Sequence, residues 1–177
     1  MAHNPNSSDF TVGILGTGAM GRGIAQIMAT GGMQVLLFDT NDGAAEAGRE
    51  FAERMIRRAG EKGTISDEEA QAAAARLNVV AQLSDLAGCD LVIEAVLEDL
   101  EIKREVFTGL EDVVAEDCVL ATNTSSLSVA AIAADLKHPG RFAGFHFFNP
   151  VPLMKVVEVV NGVETTPKTA DILVAVA

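Results

Sequence analysis

The sequence predicts an α/β fold: a doubly wound, mainly parallel sheet covered by helices on both faces. Three observations carry this expectation. Short apolar runs at 10–16 (FTVGILG), 33–39 (MQVLLFD), 90–96 (DLVIEAV) and 118–124 (CVLATNT) alternate with stretches of helical period. The runs are apolar throughout rather than every second residue, as in strands buried on both faces. The chain has 177 residues, of which 49 % are apolar and 21 % charged; that is enough for one domain with a core and too apolar for disorder.

Residues 1–9 (MAHNPNSSD) are polar and read as a frayed leader, lacking the basic and apolar regions of a signal peptide. The first strand, 10–16, ends in glycine. AMGRGIAQIMAT then forms a small-residue helix stopped by Gly31 and Gly32. After the second strand, 33–39, residues 44–59 have helical period, GEKGT breaks it, and SDEEAQAAAARL starts again with a serine N-cap and first-turn carboxylates. This pair is a helical hairpin, about 44–78, inserted after strand 2. The alternation then resumes. Strand 90–96 precedes a helix expected to bury Ile102, Val106, Leu110 and Val113. Strand 118–124 precedes the helix SVAAIAADL, and FAGFHFF and MKVVEVV close the sheet.

The net charge is −12, which argues against nucleic acid or an anionic membrane as partner. No apolar run approaches the roughly 18 residues of a membrane span. Cys89 and Cys118 lack partner spacing and read as core residues of a reducing compartment. We therefore expect a cytoplasmic protein with neither disulfide nor metal site.

Gly16-Thr17-Gly18-Ala19-Met20-Gly21 is a GxGxxG loop between an expected strand and helix, the context in which this pattern binds dinucleotides. Gly16 permits the turn, Gly18 lets backbone approach a pyrophosphate, and Gly21 lets helix and strand pack closely. Free N–H groups at the start of the helix, from Ala19 and Met20 onward, suit the anion. Asp39 closes the second strand 18 residues after Gly21, with Thr40 and Asn41 following and no arginine. A carboxylate there accepts from a ribose 2′-hydroxyl and repels a 2′-phosphate, so NAD is favoured over NADP. The bland alternative is a glycine-rich turn with Asp39 as a strand-end cap. With the loop, the fold becomes Rossmann-type.

The stretch GFHFFNPVPLMKVVEVV carries one imidazole and one carboxylate in an apolar context. His146 and Glu158 lie equidistant from Pro152, so a chain reversal there brings them face to face. An alcohol that loses a hydride must also lose a proton, and histidine suits that task. A carboxylate behind it fixes the tautomer and stabilises the imidazolium. Glu158, between valines, would be costly to bury without such a partner. Taken singly, His146 could be a bonded core histidine and Glu158 a solvent-facing residue of an edge strand. The turn TNTSSLS (122–128) is open between an ordinary helix start, capped by Ser126 or Ser128, and a group aimed at a substrate oxygen.

The segments GILGTGAMGRGIAQ, LVIEAVLEDLEIKREVF, TNTSSLSV and RFAGFHFFNPVPLMKVVEVV resemble the signatures of the L-3-hydroxyacyl-CoA dehydrogenase family, over about residues 10–165. The resemblance implies NAD-dependent oxidation of a (3S)-3-hydroxyacyl-CoA to a 3-ketoacyl-CoA, or the reverse reduction, in fatty-acid metabolism of the β-oxidation type. It casts His146 as general base, Glu158 as its orienting partner and Ser125 as a hydrogen-bond donor to the substrate 3-oxygen beside the nicotinamide. It sets Glu98, Lys103 and Asn149 around the cofactor's ribose and nicotinamide, and Lys62, at the hairpin tip, on the CoA nucleotide. Arg54, Arg57, Arg58 and Lys62 form a basic cluster that suits polyanionic CoA, or a solvated helix face beside Glu50, Glu53 and Glu61. Family members continue into an all-helical domain carrying the homodimer interface and part of the acyl pocket; residues 166–177 are expected to begin the helix leading there. Two other readings stand beside this one: a dehydrogenase of free hydroxy acids, and a nucleotide-binding module that needs a second domain or chain.

Overall fold

The computed structural model describes residues 4, 5, 7 and 9–177, so much of the expected leader lies outside the described residues. Seven strands form one sheet: β1 (Thr11–Leu15), β2 (Gln34–Phe38), β3 (Leu77–Val79), β4 (Leu91–Glu94), β5 (Val119–Thr122), β6 (Phe142–Phe147) and β7 (Val157–Asn161). Their order is β3-β2-β1-β4-β5-β6-β7. Strands β1 to β6 run parallel and β7 runs antiparallel to β6. The helices are α1 (Ala19–Thr30), α2 (Ala44–Glu61), α3 (Asp67–Ala75), α4 (Leu100–Glu111), α5 (Val129–Ile132) and α6 (Pro167–Val176).

Two apolar layers flank the sheet. One joins Ile14, Leu37, Ile93, Ala121 and Phe145 to α1, α2, α3 and α6; the other joins Leu15, Val92, Leu120 and Phe142 to α4 and α5. Register aligns the carboxyl ends. Phe38 and Glu94 both pair with Leu15, Glu94 with Thr122, and Thr122 with Gly144. Gly16, Asp39, Asn123 and the end of β6 therefore emerge along one rim. Because β7 runs back, Glu158 reaches the same rim opposite His146.

Local chemistry explains the element ends. Helix α1 stops in a paired closure: Gly32, at φ +100, donates to Ala29 O and Met33 donates to Met28 O. Gly63, at φ +69, turns the chain between α2 and α3. Helix α3 starts on a reciprocal cap, with Glu69 N–H donating to Ser66 Oγ (3.1 Å) and Ser66 N–H to Glu69 Oε2 (2.8 Å). Ser128 caps α5 by accepting from Ala131 N–H, which selects it over Ser126 for that role.

Two expectations change. The hairpin helix ends at Ala75, and Leu77–Val79 form a parallel strand on β2, an element too short to show a period in sequence. Helix α4 packs Val106 and Leu110, with Val113 just past its end, on the core as expected, but it also buries Lys103 and Phe107 and leaves Ile102 38 % exposed. Lys103 joins the buried face because Glu94, fully buried at the end of β4, takes it as its cation. In the expected C-terminal helix, α6 (Pro167–Val176), Ile172, Leu173 and Val176 pack into the core.

Gly21 is the tightest point. A Cβ there would lie 1.8 Å from Gly16 O, whereas one at Gly18 meets nothing within 4 Å. Gly21→Ala is expected to cost about 2 kcal/mol or more, read as a lowered melting temperature, while Gly18→Ala should melt close to the parent.

Candidate active site

The glycine loop lies between β1 and α1 as its spacing requires. Gly16 sits at φ +87, where a Cβ would meet Ala95 backbone at 2.8 Å. Gly18 is the N-cap of α1 and makes no side-chain cap, so the first N–H groups of the helix, starting at Ala19 and Met20, are not taken by a capping residue. The open space beside Gly18 and the close contact at Gly21 fit a loop shaped for a pyrophosphate.

Asp39 stands just past β2 and grips this loop. Its Oδ2 accepts from Thr17 N–H (2.8 Å) and Thr17 Oγ1 (2.9 Å), and its Oδ1 from Asn41 N–H and Nδ2, both at 3.0 Å. Burial raises the pKa of its carboxyl, but the Asn41 and Thr17 hydrogen bonds outweigh that and hold it below the usual range. Gly48 of α2 packs on Thr17, leaving no room for a larger residue: a Cβ would lie 2.8 Å from Thr17 Cβ.

On the other half of the sheet a polar network joins β4, α4 and the 122–126 turn. Glu94 Oε1 accepts from Lys103 Nζ (2.5 Å) and Val96 N–H (2.7 Å), and its Oε2 from Thr122 Oγ1 (2.7 Å). Lys103 Nζ is also 3.4 Å from Glu98 Oε2. Glu98 Oε1 accepts from Thr124 Oγ1 (2.5 Å), Ser125 N–H (3.1 Å) and Ser126 N–H (3.3 Å) and Oγ (3.1 Å). Lys103 is thus buried beneath Glu98, at 1 % exposure, and acts on the crevice through that carboxylate. Ser125 is exposed, with its backbone held by Glu98. Burial raises the Glu98 pKa, but Thr124, Lys103, Ser125 and Ser126 together bring it down to about 2.

His146 and Glu158 meet. Nδ1 lies 2.9 Å from Glu158 Oε2, and the two residues are direct cross-strand partners in the β6–β7 register. An ionised carboxylate only accepts, so Nδ1 is the donor in this contact, and in the neutral imidazole Nε2 is then the acceptor. The Phe148 ring packs on the imidazole at 4.5 Å. Asn123 Oδ1 accepts from Phe147 N–H (2.9 Å), tying the 122–126 turn to the strand that carries His146. Glu158 is not buried: its side chain is 54 % exposed against 17 % for His146, because β7 is the outer strand.

Lys62 and Asn149 line one groove of about 760 Å³ with Arg22, Phe51, Met55 and Leu153. The basic cluster divides. Arg57 pairs with Glu53 at 2.6 Å, while Arg58 and Lys62 face the groove. Arg22 stacks over the Phe51 ring at 3.9 Å. Sequence reading missed Arg22, Glu94, Thr122, Asn123 and Thr124. Glu94 had a signal, an acid inside the apolar strand DLVIEAV; the others had none beyond the motifs that contain them. Cys89 and Cys118 are buried and free, with burial pushing the Cys89 thiol up to about 12 and Cys118 in the same direction. No helix among the described residues is long and apolar enough to cross a membrane.

Because the Glu98 pKa falls on folding, its contribution to stability is complete above about 4.5 and is lost as pH drops toward about 2. Denaturant melts across that window should show the parent losing stability faster than Glu98→Gln as pH falls, the two curves converging near pH 2.

The chain is similar to known proteins along most of its length. Residues 11–177 match the family described as 3-hydroxyacyl-CoA dehydrogenase, NAD binding domain. A probable 3-hydroxybutyryl-CoA dehydrogenase of Deinococcus radiodurans is 38 % identical over 93 % of this chain and 59 % of its own length. The 3-hydroxyadipyl-CoA dehydrogenase of Escherichia coli K12 is 42 % identical over 91 % of this chain and 34 % of its own length. The crystal structure of 3-hydroxybutyryl-CoA dehydrogenase from Escherichia coli K12 superposes with a TM-score of 0.90 at 41 % identity, over 93 % of this chain and 35 % of that one. The chain therefore spans between about a third and three fifths of these relatives. A glycine loop with an acid at the end of β2, on this fold and with this match along its length, makes the chain a member of the 3-hydroxyacyl-CoA dehydrogenase family, as its NAD-binding domain.

Proposed function

We propose that this chain supplies the cofactor-binding and base-bearing half of an enzyme that oxidises a (3S)-3-hydroxyacyl-CoA to a 3-ketoacyl-CoA, or runs the reduction back. The observation that carries this is the 2.9 Å contact between His146 Nδ1 and Glu158 Oε2 at the rim that also holds the glycine loop. NAD⁺, bound along that rim, supplies the hydride acceptor. Gly16, Gly18, Ala19, Met20 and Gly21 would hold its pyrophosphate, Asp39 its adenosine ribose, and Glu98 and Asn149 its other half. Lys103 supports Glu98 from below.

In this reading His146 Nε2 takes the hydroxyl proton as the carbon-bound hydrogen leaves with its electron pair, and the carbinol becomes a carbonyl. Glu158 holds the imidazole in the tautomer with Nε2 free and offsets the charge of the imidazolium. The Ser125 hydroxyl donates to the substrate 3-oxygen. Arg58 and Lys62 face the groove beside Asn149 and suit the phosphates of CoA, which favours a thioester of CoA over a free hydroxy acid. We place the enzyme in the cytoplasm and expect the longer protein to be a homodimer.

A direct test follows NAD⁺ reduction with (S)-3-hydroxybutyryl-CoA against (S)-3-hydroxybutyrate. Preference for the free acid would overturn the CoA assignment, and NAD⁺ binding without turnover of either would identify a module that depends on a second domain. In an active form, His146→Gln should lower kcat by at least about a thousandfold and Glu158→Gln by about two to four powers of ten, with NAD⁺ affinity retained in both. Asp39→Ala should raise the Kd for NAD⁺ and reduce discrimination against NADP⁺; an unchanged ratio would remove Asp39 from the specificity role.

A further inference from the structure

Two carboxylates share one ammonium in the crevice. Lys103 Nζ lies 2.5 Å from Glu94 Oε1 and 3.4 Å from Glu98 Oε2. With all three groups ionised, the triad carries one net negative charge. Glu94 is fully enclosed and its oxygens are engaged by Val96 N–H, the Thr122 hydroxyl and Lys103 itself. Glu98 is 40 % exposed, so the unneutralised charge resides there, on the crevice side. The adjacent Asp99 is occupied elsewhere, its Oδ1 accepting Ile102 N–H as the cap of α4.

The strand order locates that charge. In the order 3-2-1-4-5-6 the dinucleotide lies across the carboxyl ends, one mononucleotide on each half of the sheet. The acid for the adenosine ribose, Asp39, belongs to the β1–β3 half. Glu98 follows β4 and grips the turn after β5, so it faces the nicotinamide half. The two redox forms differ there by one charge: the ring is a cation in NAD⁺ and neutral in NADH.

We propose that Glu94, Lys103 and Glu98 act together to favour the oxidised cofactor, with Glu94 and Lys103 as positioning residues that fix where Glu98 stands and leave its charge uncancelled. The proposal rests on the cofactor site described above and assigns to it a preference between the two redox states. Each member of the triad has a defined effect. Glu98→Gln removes the exposed charge. Glu94→Gln keeps the shape of the buried carboxylate but frees Lys103 to neutralise Glu98. Lys103→Arg keeps the net charge at its present value.

The test is calorimetric titration of the 177-residue chain with NAD⁺ and with NADH, alongside thermal melts. Glu98→Gln and Glu94→Gln should each lower the ratio Kd(NADH)/Kd(NAD⁺) by about three- to tenfold, and Lys103→Arg should leave the ratio near the parent's. Should Glu94→Gln not fold, the contrast between Glu98→Gln and Lys103→Arg decides alone. A merely structural role predicts that NAD⁺ and NADH weaken by the same factor in Glu98→Gln; that result, or a ratio shifted as far by Lys103→Arg, overturns the proposal. Failure of the parent chain to bind either form would count against the cofactor site itself, a different outcome from an unchanged ratio.

Discussion

A carboxylate with no exposure and an ammonium at 1 % face each other where β4 meets α4, and the polar network at the ends of β4 and β5 is built on that contact. Removing either ion from water costs several kcal/mol, which is recovered only when its hydrogen bonds are met. Glu94 meets them with a strand-end N–H, a hydroxyl from β5 and Lys103. Losing Lys103 would leave Glu94 a buried charge without its cation, so the pair holds α4 against the sheet and clamps the ends of β4 and β5 together. From Lys103 the connection passes to Glu98, then to the N–H groups of Ser125 and Ser126. The turn that Asn123 already ties to β6 is thus held a second time, by charge.

The glycine loop on the other half of the sheet is held differently. Contact there is steric, with Gly21 under Gly16 O and Gly48 against Thr17, and Asp39 ties the loop to the end of β2 through four hydrogen bonds. The two halves share the row in which Phe38, Leu15, Glu94, Thr122 and Gly144 stand side by side. Parallel register, once set by the apolar core, delivers each functional residue to the same rim. Only Glu158 needs a chain reversal to arrive there.

How much of this was legible depended on whether a residue's role was written in local pattern. The strands at 10–16, 33–39, 90–96 and 118–124 were visible because burial on both faces leaves a continuous apolar run. β3 was not, since three residues carry no period and its existence depends on pairing with β2. The meeting of His146 with Glu158 was readable from spacing about Pro152, because antiparallel pairing is a symmetry of the sequence itself. The burial of Lys103 on α4 was missed because periodicity counts apolar residues, and Lys103 is buried for its charge. Asn123, Thr122 and Thr124 act through contacts to other strands and helices, which no local pattern encodes.

The outer position of β7 leaves Glu158 more than half in water, where solvent and dissolved ions weaken any electrostatic attraction it exerts. In a medium of lower permittivity the same 2.9 Å contact would be worth several times more. A surface laid over that flank of the sheet would therefore strengthen the contact between the two side chains without contributing a group to it.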